Sequence, residues 1–148
     1  MPTTTASALR ASLVSTVAAI SPTNAYKRGS LWRPVQSVSD VPGGAVRNFY
    51  LRIEPGTDFY DGVWGDSREK AAEMRIYTCY ASLDETDLEG VIDEDSSNLF
   101  LAFDYRRDPQ IAGFWDVRTV GWSFEDDTPG HVWGYHLFDI RYLVSHEV

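Results

Sequence analysis

Apolar and polar positions alternate along the last third of the chain in a way that suits extended backbone. Over residues 135–144, Phe138, Ile140, Tyr142 and Val144 fall on one side and Tyr135, Leu137, Asp139, Arg141 and Leu143 on the other, because strand side chains alternate. One side is continuously apolar and the other mixes charge with apolar groups. That is the pattern of a strand with one face on a core and the other open to solvent or a partner. Residues 114–124 form a second run whose phase changes: Trp115 and Val117 share one parity, whereas Val120, Trp122 and Phe124 share the other. The change predicts a bulge at Thr119-Val120-Gly121. Between the runs, Glu125-Asp126-Asp127-Thr128-Pro129-Gly130 carries turn chemistry, so a long antiparallel hairpin closes the chain.

The rest of the chain divides by the same test. Over residues 5–20, Leu9, Leu13, Val14, Val17 and Ile20 recur at steps of three and four, which predicts an amphipathic helix capped by Thr5 or Ser7 and ended by Ser21-Pro22. Residues 21–45 lack period and read as an extended connection, in which Trp32, between Arg28 and Arg33, is either a lid on the core or an anchor for a partner. Residues 46–54 alternate, with Phe49, Leu51 and Ile53 opposed by Tyr50 and Arg52, and residues 73–82 alternate again, with Met74, Ile76, Thr78 and Tyr80 opposed by Arg75, Tyr77 and Cys79. These two strands are expected to pair antiparallel. The loop expected over residues 55–70 carries Phe59, Tyr60, Val63 and Trp64, which either fold back on the sheet or anchor an interface.

Residues 84–95 suggest one short helix through Leu88, Val91 and Ile92, and Ser96-Ser97 suits the cap of a second, with Leu99, Phe100 and Phe103 inward and Arg106-Arg107 at its end. The run 99–103 also fits a buried strand, but a helix completes the cover of the sheet. The expectation is a single α+β domain over residues 1–148. It has a mixed or antiparallel sheet of about four strands, helices packed on one face and a long C-terminal β-hairpin.

Composition narrows the function. With 43% apolar residues and 14% aromatics in 148 residues, the chain has enough for a core and is no disordered segment. No run suits a membrane span and no signal-peptide order opens the chain, so a soluble cytosolic product is expected. One cysteine, Cys79, rules out an internal disulfide and reads as a buried structural thiol. Charge is uneven. Residues 1–53 hold six basic residues and one acidic, net +5, while the remainder hold seven and twenty-one, net −14. Most of such a surface repels a polyanion, which argues against tight nucleic-acid binding. The asymmetry suits either head-to-tail contact between copies or plain solubility charge.

No catalytic pattern emerges. His136 and His146 share a face, but ten residues of strand set them roughly 33 Å apart, and His131 lies at the turn, so no metal cluster is expected. Carboxylates such as Asp104 with Asp108, Asp93 with Asp95, and Glu125 with Asp126 and Asp127 suit acidic turns and helix faces as readily as catalysis. Nucleophile elbow, phosphate loop and dinucleotide fingerprint are all missing from the sequence.

The order of elements and the closing stretches, Gly121-Trp122-Ser123-Phe124-Glu125-Asp126-Asp127 and then Trp133-Gly134-Tyr135-His136-Leu137-Phe138-Asp139-Ile140-Arg141-Tyr142-Leu143-Val144-Ser145-His146-Glu147, resemble the tail terminator proteins of long-tailed bacteriophages. The resemblance implies a non-enzymatic virion protein without cofactor, assembled in the host cytoplasm. It forms a homohexameric ring at the head-proximal end of the tail tube, ends tube polymerisation and meets a neck or head-completion protein. DNA passes through its pore without specific binding. On this reading Phe59, Tyr60 and Trp64 reach the tube or neck, and Tyr50, Tyr77, Tyr135 and Arg141 meet neighbouring subunits. A carbohydrate-binding module using Trp32, Trp64, Trp115, Trp122 and Trp133 as stacking platforms is a second expectation, and a hydrolase using Asp104, Asp108 or Asp127 a third.

Overall fold

The first helix shows how the pattern becomes structure. A computed structural model of the chain describes residues 3–20, 32–34, 47–54, 57–64, 67–81, 85–104, 111–128 and 131–145. Thr5 is extended and its hydroxyl accepts from the Ala8 N–H at 3.0 Å, satisfying one of the unpaired donors at the start of α1 (Ala6–Ala18). Leu9, Leu13 and Val17, four residues apart, are completely buried. They form one stripe against the sheet.

The sheet follows from the alternating segments. Its strands are β1 (Trp32–Pro34), β2 (Arg47–Ile53), β3 (Thr57–Trp64), β4 (Ser67–Ala81), β5 (Phe114–Thr128) and β6 (His131–Ser145), and α2 (Glu85–Phe103) lies between β4 and β5 in the chain. The order across the sheet is β1-β2-β4-β6-β5. β1 runs parallel to β2, and every other pairing is antiparallel. β3 lies on the same edge of β4 as β2: Phe49 to Ile53 pair with Thr78 to Met74, and Thr57 to Trp64 continue along Ala71 to Ser67. β5 and β6 make the expected C-terminal hairpin. The architecture is the α+β class read from the sequence, with both helices on one face.

That face is the core. Phe49 and Leu51 of β2, Met74 and Ile76 of β4, Phe114 and Val117 of β5, and Phe138, Ile140 and Tyr142 of β6 pack with the α1 stripe and with Leu99 and Phe103 of α2. Phe103 meets Phe138 edge to face, with ring centres 5.7 Å apart at 84°, a preferred aromatic geometry. Gly113, at φ 74°, precedes β5 and receives Thr4 so closely that a Cβ there would stand 2.8 Å from Thr4 Cγ2. Both the backbone conformation and the contact require glycine. The close approach lets the Thr4 N–H reach the Leu143 carbonyl at 2.8 Å, and Leu143 in turn donates to the Gly113 carbonyl at 2.7 Å.

Three segments differ from the sequence reading. The described part of residues 21–45 is strand β1, too short and too close to Pro34 to show a period. The expected loop over residues 55–70 contains β3 and the first residues of β4. There Asp58, Asp61 and Gly62 argue locally against a strand, yet the ladder to β4 supplies the hydrogen bonds, and a register shift between Asp58 and Val63 breaks the alternation. Residues 85–103 are one continuous helix, because Ser96 engages a strand residue instead of capping a second helix. The run 99–103 is helical. Arg106, Arg107 and the turn residues Pro129 and Gly130 lie outside the described residues.

The bulge expected at Thr119-Val120-Gly121 is present as a register shift, with Gly121 at φ 156° and Val120 turned out to solvent. Two more shifts fall between Phe114 and Asp116 and between Phe124 and Asp126. β5, the last strand in the sheet order, is therefore interrupted three times.

Candidate functional site

No described helix lies on the second face of the sheet, and four of the sequence-predicted interface residues, Tyr50, Tyr77, Tyr135 and Arg141, lie there. The pairings Tyr50↔Tyr77 and Tyr77↔Tyr135 place three tyrosines side by side across β2, β4 and β6. Their ring centres are 6.4 Å and 5.8 Å apart, at tilted angles. Tyr77, in the middle, is 9% exposed, Tyr50 and Tyr135 are half-buried, and Cys79 is sealed among them. Burial pushes the Cys79 thiol up from its ordinary 9.0 to about 11, because a thiolate there would lose its hydration. Cys79 is thus the buried structural thiol read from the sequence.

Arginines frame the row. Arg10 leaves α1 at the edge of the sheet, donates from Nε to the Leu51 carbonyl at 2.9 Å and sets its guanidinium 5.4 Å from the centre of the Tyr50 ring. Arg75 lies 5.3 Å from the centre of the Tyr135 ring and donates to Glu73 at 2.7 Å. Hydrogen bonds to Glu73 and Tyr77 raise the Arg75 pKa and hold it charged. Tyrosine rings on this face therefore already serve as seats for cations.

Below the row the face dips into an open hollow of about 390 Å³ lined by Glu54, Ala71, Ala72, Glu73, Asp116, Arg118, Asp139, Ile140 and Arg141. Ala71 leaves the space, and the neighbouring strands supply the charge. Arg118 faces Asp116 at 3.5 Å, and Arg141 stands 3.9 Å from both Asp116 and Glu69. Glu73 is taken by Arg75 and Glu54 by Arg52 at 3.0 Å. Asp139 is exposed and makes no ion pair with a described residue. Glu69, only 4% exposed, has no hydrogen-bond partner for its Oε1.

The structure thus brings Tyr50, Tyr77 and Tyr135 together and sets Arg141 on the same face in the adjoining hollow. Phe59, Tyr60 and Trp64 lie in β3 by their backbone, and their side chains are outside the described residues, as are those of Trp32, Trp115, Trp133 and Asp127. Trp122 turns to the helix side and donates to Asp93 of α2. Sequence reasoning did not single out the hollow. Asp139 shares the parity of Arg141, and Glu73 that of Arg75, so part of it was readable. The contribution of Asp116 and Arg118 depends on where β5 slips register, and no sequence period gives that.

Among the described residues, a serine–histidine contact is on the wrong side for chemistry. Ser96 Oγ of α2 and His136 Nδ1 of β6 are 2.6 Å apart, yet His136 is fully buried and Ser96 is 8% exposed. A hydroxyl sealed beneath a helix meets no substrate; the pair ties α2 to the sheet. Among the described residues no three histidine, cysteine, aspartate or glutamate side chains are grouped to hold a metal ion. No described helix is long and apolar enough to cross a membrane. The sequence matches no protein-family model and no curated protein.

Proposed function

We propose that this chain is a structural, non-enzymatic protein of the tail-terminator type: a ring at the head-proximal end of a phage tail tube that ends tube polymerisation, joins neck or head-completion proteins and leaves a pore for DNA. The observation that carries the reading is the helix-free face with its tyrosine row and charged hollow. Rings with polar tips and ion pairs in shallow relief suit burial against another protein. A reaction site would call for a cleft of converging groups with shifted acidities. Here the carboxylates lie spread over an open surface and most are matched by arginines. The element order, from helix through strands and helix to a closing hairpin, is in keeping with the resemblance. A net charge of −9 suits a passage that a polyanion must slide through without sticking.

In this reading Tyr50, Tyr77, Tyr135 and Arg141 meet neighbouring subunits, and β3, with Phe59, Tyr60 and Trp64, reaches the tube or neck. Sedimentation and negative-stain imaging of the purified chain, alone and mixed with tube protein, test it. The expected result is about six copies around a pore, bound at one end of the tube. A chain that stays monomeric and never touches tube ends overturns the proposal.

A further inference from the structure

The two halves of α2 are held to the sheet by different chemistry. The second half is anchored by apolar packing: Leu99 and Phe103 have no exposed area and belong to the main core, where Phe103 meets Phe138 edge to face. The first half is tied to the described sheet residues by polar groups. Ser96 Oγ lies 2.6 Å from His136 Nδ1, and Trp122, which stands opposite His136 in the β5–β6 ladder, donates to Asp93. Ile92 is buried in this half but lies outside the main core cluster. Gly90, whose missing Cβ would meet no neighbour, weakens the same half, because glycine in a helix interior is less stable than alanine.

The imidazole in this contact sits where a charge is costly. His136 has no exposed area, and it lies opposite Ile76 of β4. Thr78 is one step along the same face, and its Oγ1 is buried with no hydrogen-bond partner among the described residues. On its own strand that face continues through Gly134 and Phe138, so none of these sheet neighbours carries a charge. The titratable groups packed on this side come from α2: Asp95, which has no exposed area, and Asp93, which Trp122 holds.

A docked imidazolium would give up its hydration among such neighbours. Undocked, the same ring is an ordinary histidine that takes a proton near about pH 6.5. The open form thus binds more protons in mild acid, and linkage draws the equilibrium toward it as pH falls. The stability that docking the ring contributes is full above about pH 7 and declines as pH drops through about 6. The carboxylates act in the same direction. Protonated in stronger acid, Asp95 no longer balances a charged ring, and Asp93 accepts the Trp122 N–H less strongly.

We propose that the Ser96–His136 contact is an acid-sensitive latch: mild acid frees the first half of α2 from the sheet, while Leu99 and Phe103 keep the second half docked. Opening uncovers His136 and the Thr78 hydroxyl, which the closed chain conceals. The latch stands apart from the ring reading, which neither requires it nor fails with it.

The test is native-state hydrogen exchange of the full chain at about pH 7.5 and about pH 5.5, corrected for intrinsic exchange at each pH. One unit below the ordinary histidine pKa the open population gains about tenfold. Amides of residues 89–96 are therefore expected to lose about tenfold in protection, while those of residues 99–103 and of β4 and β6 change little. His136→Asn, which keeps a polar group near the place of Nδ1 but takes up no proton, is expected to abolish the pH response, and Asp93→Asn to keep it. Equal protection of residues 89–96 at both pH values, a loss spread evenly over the chain, or a response that survives in His136→Asn overturns the proposal. If His136→Asn does not fold, the nitrogen shifts of the His136 ring in the native chain decide by NMR. A ring that is uncharged in the docked chain at about pH 5.5 supports the latch, and a charged one overturns it.

Discussion

Strands β2, β4 and β6 carry two surfaces one residue out of step. On the helix side Phe49, Met74, Ile76 and Phe138 have no exposed area, covered from above by α1 and α2. On the other side Tyr50, Tyr77 and Tyr135 touch one another in the plane of the sheet, with Arg10 and Arg75 against their rings, and Glu73 and Arg75 pair along their own strand. The first kind of burial is complete when the monomer folds. The second is partial, and under the proposed ring it is the surface that a neighbouring copy would cover. One sheet thus separates the contacts that hold the fold from those available for assembly.

The comparison breaks most directly at Phe138. Phe138→Ala is expected to lower unfolding free energy by about 3–5 kcal/mol, read from urea unfolding; a loss below about 1 kcal/mol would mean the helix face is not the core it looks to be. Cys79 sharpens the contrast from the other side, since it is 1% exposed on the helix-free face. Its thiol is raised from 9.0 to about 11 in the folded chain, so folding favours the protonated form. That contribution is complete below about pH 9, is lost as pH rises through about 11, and amounts to about 2–3 kcal/mol. Burial raises Tyr142 in the same direction. Urea midpoints near pH 8 and pH 11 are expected to fall further for the native chain than for Cys79→Ala, and equal falls would contradict the sealed thiol.

Ser96→Ala removes the partner of a buried ring nitrogen and is expected to cost about 1–3 kcal/mol. Native-state hydrogen exchange should show α2 opening more readily as a result, and unchanged protection of α2 would deny the pair its anchoring role. The smallest effect on folding is expected at the hollow. Asp139→Asn should leave unfolding free energy within about 0.5 kcal/mol, and a large loss of stability would place Asp139 among the structural residues.

Strand parity made most of this readable. The faces of β2, β4 and β6 and the stripe of α1 follow from the alternation of Phe49 with Tyr50, Ile76 with Tyr77 and Phe138 with Asp139, and from the fourfold spacing of Leu9, Leu13 and Val17. What the sequence hid depends on contacts far apart in the chain. Residues 67–72, Ser-Arg-Glu-Lys-Ala-Ala, have no strand character of their own and are extended because they pair with residues 140–145 on one side, while residues 67–71 also pair with β3 on the other. Ser96 reads locally as a cap and is drawn into the helix interior by His136, forty positions on. The tyrosine row was visible as three residues, each out of step with the core positions of its own strand. The hollow beside it required the register of β5, which two early slips displace.

Those slips have a further result. A straight, regular border strand offers its free amides and carbonyls as a template, and neighbouring molecules can zip on to it almost irreversibly. Kinked near its start, its middle and its end, β5 makes a poor template. Crowded copies are then steered away from fibre-like growth and toward unions made by side chains, which salt can undo.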